Sequence, residues 1–164
     1  MSKIRVLLAD DNGQVLEYVR EILSANGCEV IGTATDGQSG VDVAAELLPD
    51  VLVLDVFMRI LNRIRAARRM LEVNPSIKVV FLTICKDPAT CRAALEIGAF
   101  GYVIKPRLAN DLIPAIEHAR DGRRFVSPGC EQFSNKSSPF LIHASEMASW
   151  LRILAKAVFC AISG

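Results

Sequence analysis

The residues best placed to do chemistry are Asp10, Asp11, Asp55, Thr83 and Lys105. Each follows a short apolar run: residues 4–8, 51–54, 78–82 and 101–104 lead into them in turn. Three carboxylates gathered in one place repel one another unless a cation neutralises them. Hard oxygen ligands with room for water suit Mg²⁺. A threonine hydroxyl and a lysine ammonium beside them would hold the oxygens of a phosphoryl group, with the metal bridging that group and the carboxylate that accepts it. In-line transfer of such a group needs mainly positioning and charge stabilisation. Taken singly, each residue also has an ordinary role. An Asp-Asp pair after a strand is often a turn or helix cap, a strand-end threonine is common, and a lone lysine is usually solvated. The inference rests on the set.

That set acts together only if the apolar runs are neighbouring strands. Residues 51–54, Val-Leu-Val-Leu, suit a strand buried on both faces of a parallel sheet. Helical stripes separate the runs. Val15, Leu16, Val19, Ile22 and Leu23 form one, capped by Asn12 and stopped at Asn26-Gly27. Val41, Ala44, Ala45 and Leu48 form a second, closed by Pro49. A third is expected over residues 62–73, broken at Asn74-Pro75. A fourth opens at Asp87-Pro88 and ends at Gly98. The last covers residues 108–120, with Leu112, Ile113 and Ile116 inward and Pro114 inside it. Strand and helix alternate five times. This predicts an α/β fold of the flavodoxin-like, doubly wound kind: a five-stranded parallel sheet in the order 2-1-3-4-5. Functional groups of such sheets gather at the carboxyl ends of the strands.

Composition narrows the classes. The chain has 164 residues, 51% hydrophobic and 23% charged, which fits a folded domain with an extension. A net charge of +1 gives no bias toward nucleic acid or an anionic membrane. No export signal and no run of about 18 apolar residues is read, so a cytoplasmic chain without a membrane span is expected. The five cysteines show no metal-ligand spacing and are expected to be reduced thiols.

Residues 3–120 resemble the receiver domain of two-component response regulators. The motifs that carry the likeness are Leu8-Ala9-Asp10-Asp11, Val53-Leu54-Asp55-Val56-Phe57-Met58, Phe81-Leu82-Thr83 and Lys105-Pro106. The segment Gly98-Ala99-Phe100-Gly101-Tyr102-Val103-Ile104-Lys105 is similar to the LuxR/NarL-type subclass. The resemblance implies a CheY-like fold, and a sensor histidine kinase as partner that phosphorylates Asp55. It implies Mg²⁺ held by Asp11 and Asp55, by Asp10 through water or hydrogen bonds, and by the main-chain carbonyl of Phe57. It further implies that Lys105 pairs with the phosphoryl group, that Thr83 moves toward it, and that Tyr102 turns inward behind Thr83. That movement would remodel the face made by the fourth predicted helix, the fifth strand and the fifth helix. Such a protein assists its own phosphorylation and dephosphorylation and is not an enzyme acting on an external substrate. An aspartyl-phosphate phosphatase would carry a second aspartate where Phe57 stands.

The family pattern is broken at three places. Arg59 and Arg63 stand where proline and glycine are usual, and Ile84 replaces a small residue after the threonine. They motivate a rival reading, a degenerate receiver that acts as an interaction or dimerisation module. After the receiver, placed at residues 1–122, residues 123–143 read as a linker and residues 144–164 as an amphipathic helix. Met147, Trp150, Leu151, Leu154 and Val158 form its apolar stripe. No DNA-binding domain or recognition helix is read in the chain. The terminal helix, or the switching face, is expected to support self-packing or a homodimer.

Overall fold

The computed structural model of the chain describes residues 3–55, 71 and 74–130. The described elements run β1 (Arg5–Ala9), α1 (Gly13–Ala25), β2 (Glu29–Ala34), α2 (Gly37–Leu47), β3 (Val51–Asp55), β4 (Lys78–Thr83), α3 (Pro88–Glu96), β5 (Gly101–Ile104), a 3-10 turn (Lys105–Arg107), α4 (Leu108–Arg120) and β6 (Phe125–Val126). The helix expected over residues 62–73 lies outside the described residues, apart from Leu71. So do Phe57, Arg59, Arg63, Cys160 and the whole tail beyond Cys130, with its expected terminal helix.

The strands form one sheet in the order β2-β1-β3-β4-β5-β6, and every pair is parallel. The predicted order of the first five strands is the observed one. The sheet does not stop there. Residues 125–126, expected to lie in a linker, pair with Gly101 and Tyr102 as a sixth strand. Two residues are too few to show an alternating pattern, so the strand left no periodic signal in the sequence.

Alternation along the strands divides the core in two. Leu7, Leu52, Leu54, Val79, Phe81 and Tyr102 face a layer that includes Ala44 of α2 and Cys91 and Ala94 of α3. Val6, Leu8, Val51, Val53, Val80, Leu82 and Val103 face Val19 and Leu23 of α1 and Leu112, Ala115 and Ile116 of α4. A sheet covered on both sides explains why residues 51–54 are uninterruptedly apolar and all buried.

Helices α1 and α3 start where the sequence places caps. The Asn12 side chain accepts from the Gln14 and Val15 amides at 3.0 and 3.3 Å. Asp87 accepts from the Thr90 amide at 2.9 Å, with Pro88 in the first turn where its missing N–H costs nothing. Helix α4 runs through Pro114 without a break. Gly27 leaves α1 at φ 75°, in the left-handed region that its lack of a side chain permits.

Candidate functional site

The strand register fixes the level of the site. Ala9 lies opposite Leu54, and Asp55 opposite Leu82. Thr83 lies opposite Ile104. The residues that follow β1 and β5, and those that end β3 and β4, therefore surface along one rim of the sheet. Asp10 and Asp55 continue the Val6/Leu8 and Val51/Val53 rows, so both carboxylates fall on the α1/α4 side.

Asp10 and Asp55 are each 3% exposed, and Thr83 is fully buried. Asp11, by contrast, is open to solvent. One carboxylate oxygen from each of Asp10, Asp11 and Asp55 lies within 4.8 Å of the others. Lys105 stands over the two buried acids. Its Nζ is 2.9 Å from Asp10 Oδ2 and 3.2 Å from Asp55 Oδ2. Buried carboxylates need such compensation. Asp10 is further fixed through Oδ1, which accepts from the Asn12 amide at 2.9 Å. The donors are all hard oxygens, two sheltered and one wet. This composition fits a small hard cation that keeps part of its water shell.

On the other side of the rim, the Thr83 hydroxyl accepts from the Cys85 amide at 3.0 Å. The Tyr102 hydroxyl donates to the Cys85 carbonyl at 3.1 Å. Tyr102 is completely buried, so its ring already points inward here. Burial, then the neighbouring Cys85, pushes its phenol above the ordinary value of 10.0, with Thr83 partly opposing. The tyrosine is held as a neutral donor. Burial, with Cys130 and Asp87 adding, pushes the Cys91 thiol up to about 12, which leaves it a poor nucleophile and a packing residue.

The five residues singled out from the sequence thus meet at one rim, with Tyr102 behind Thr83. The Phe57 carbonyl falls outside the described residues. Ile84 is 57% exposed, so much of its side chain lies in solvent and its placement gives no support to the contact-only reading. Sequence reasoning missed a second polar cluster next to the site. Asp111 and Ser127 are both buried, and Ser127 Oγ donates to Asp111 Oδ2 at 2.6 Å. The spacing of Arg107 and Asp111, four apart across the start of α4, was the available signal.

Comparison with known proteins agrees with this geometry. The family described as "Response regulator receiver domain" matches residues 6–117. The chain is 35% identical over 130 residues to the response regulator GacA of Pseudomonas viridiflava, covering 79% of this chain and 61% of that protein. It is 32% identical over 126 residues to the transcriptional regulatory protein LnrK of Bacillus subtilis, covering 76% of this chain and 57% of that one. The chain spans less than two thirds of the length of these relatives. Among solved structures, a two-component response regulator of the LuxR family from Aurantimonas sp. SI85-9A1 superposes with a TM-score of 0.74 at 32% identity, over 80% of this chain and 94% of that one. A family match over 112 residues, the superposition on a solved response regulator and an acidic rim with its lysine are concordant lines. This chain belongs to the response regulator receiver domain family.

Proposed function

We propose that Asp55 is the phosphoacceptor of a two-component signalling switch, with a sensor histidine kinase as donor. The observation that carries this reading is the Lys105 ammonium, 2.9 and 3.2 Å from two buried carboxylates on different strands. The ammonium compensates both carboxylates and stands where it can pair with a phosphoryl group on Asp55.

In this reading a carboxylate oxygen of Asp55 attacks the phosphorus in line. The Asp55 O–P bond forms as the P–N bond of the donor phosphohistidine breaks, and the histidine keeps the electron pair. Lys105 keeps its proton and pairs with the phosphoryl oxygens, and the Thr83 hydroxyl turns to donate to another. Asp10, Asp11, Asp55 and the Phe57 carbonyl would hold Mg²⁺. Bound there, it supplies positive charge against the phosphoryl oxygens. Withdrawal of Thr83 Oγ1 from the Cys85 amide frees the segment that Tyr102 also holds, which makes Thr83 and Tyr102 the switch pair. The face of α3, β5 and α4 would carry the change outward. That face, or the terminal helix, would serve self-packing or a homodimer.

The chain turns over no external substrate in this account, and its place is the cytoplasm. Among the described residues no helix is long and apolar enough to cross a membrane. Acetyl phosphate with Mg²⁺, followed by borohydride reduction and peptide mapping, tests the assignment. Reduction at Asp55 is expected, and reduction at Asp10 or Asp11 overturns it.

A further inference from the structure

The buried cluster around Ser127 flanks the turn that presents Lys105. Ser127 is fully buried where the chain leaves β6. Its Oγ donates to Asp111 Oδ2 at 2.6 Å and accepts from the Ile104 amide at 3.1 Å. Its own amide donates to the Tyr102 carbonyl at 2.9 Å. Asp111, on the first turn of α4, is also gripped by Arg107, with Nε to Oδ2 at 2.8 Å and a terminal nitrogen to Oδ1 at 3.2 Å. Ile104 immediately precedes Lys105, and Arg107 follows it by two. Ile104 is therefore held through its backbone and Arg107 through its side chain, so both flanks of Lys105 connect to one buried pair. A satisfied buried network of this kind fixes geometry, because any displacement leaves a charged or polar group unpaired.

The same pair has a second connection. Ser127 lies on the segment that leaves the sheet, not on the four strands, β1, β3, β4 and β5, that build the site. A shift of Lys105 toward a phosphoryl group on Asp55 loads the turn, and the turn is bonded to Ser127. We infer that the Ser127–Asp111 pair positions Lys105 for Asp55 and ties the segment leaving the sheet to the occupancy of that site. The inference rests on the reading of Asp55 as phosphoacceptor. By linkage the coupling runs both ways: occupancy must alter Ser127, and loss of the Ser127 hydroxyl must alter occupancy.

The test uses the full chain with Mg²⁺ and beryllofluoride, which stands in for a phosphoryl group. Two effects are expected. In the wild type, beryllofluoride slows hydrogen exchange at the Ile104 and Ser127 amides. In Ser127→Ala and Asp111→Asn, the apparent beryllofluoride affinity falls by roughly threefold or more, the scale of one lost buried hydrogen bond partly transmitted. Arg107→Ala changes a side chain that is 41% exposed and serves as a variant that keeps the fold. It is expected to weaken binding in the same direction. The exchange measurement needs no variant, so it separates a coupling from a merely structural role. If the wild type binds beryllofluoride and either effect is absent, the inference is overturned while Asp55 stands. If the wild type does not respond at saturation, the phosphoacceptor reading fails and this inference fails with it.

Discussion

Lys105→Met removes the ammonium from the site while keeping most of its aliphatic stem. The Lys105 nitrogen lies 2.9 Å from Asp10 and 3.2 Å from Asp55. At an effective dielectric of about 20, each contact carries roughly 5–6 kcal/mol of attraction. The two buried carboxylates approach within 4.8 Å, and at the same dielectric they repel by about 3–4 kcal/mol or more. With the lysine present, attraction exceeds repulsion. Without it, the repulsion stands alone. The full Coulomb loss is not expected, because the variant no longer has to desolvate an ammonium on folding. Breaking one partner out of a buried ion pair costs about 3–5 kcal/mol. Lys105 retains 19% exposure and Asp11 admits water, which screens part of the effect. The expected destabilisation in metal-free buffer is therefore about 2–4 kcal/mol, or a fall in Tm on the order of 10 °C. Urea unfolding followed by circular dichroism in chelator measures it. The cause is checked by adding Asp55→Asn, which removes the exposed repulsion. The double variant should recover about 1–3 kcal/mol relative to additivity. A Lys105→Met protein that melts within about 2 °C of wild type, or a double variant no better than the sum of its parts, refutes the electrostatic account of this site.

Three further outcomes follow from the packing and the polar network. A Cβ at Gly101 would come within 2.8 and 2.9 Å of the two Val80 methyls and 3.2 Å of Val80 Cβ. Because that branched side chain is stiff, Gly101→Ala should cost about 1–3 kcal/mol in urea unfolding. Leu48 ends α2 at φ 47° with its side chain 54% exposed, so Leu48→Gly should raise stability by roughly 0.5–1 kcal/mol, read as a higher Tm. For Asp111, burial alone would raise the carboxyl, but hydrogen bonds from Arg107 and Ser127 outweigh it and hold it below its ordinary 3.8. The stabilisation is therefore fully present above that value and is lost as pH falls through the lower folded one. The stability gap between wild type and Asp111→Asn should narrow on acidification below about pH 4. A gap that widens there contradicts the assignment.

The sequence carried the site better than it carried what surrounds it. Asp10, Asp55, Thr83 and Lys105 were legible because each ends an apolar run, and strand alternation with helices allows few sheet orders. The caps at Asn12 and Asp87 were legible for local reasons, since a side chain that bonds the next amides needs no distant partner. Phe125-Val126 was not, because a two-residue edge strand is defined by the Gly101-Tyr102 backbone it pairs with and not by its own pattern. Ser127 was hidden for the same reason. Its role depends on Asp111, sixteen residues earlier, and on an amide of β5. The inward position of Tyr102 was implied by the family resemblance and not by local pattern, since its hydroxyl's partner is the Cys85 carbonyl on the segment after β4.

Asp55, beside Lys105 and the acidic rim, is proposed to accept a phosphoryl group. Intact mass after incubation with acetyl phosphate and Mg²⁺ tests it directly, with Asp55→Asn and a chelator-treated sample alongside. The wild type should gain one phosphoryl group, and the variant and the chelated sample should not. No gain at saturating reagent, or an equal gain in Asp55→Asn, contradicts it.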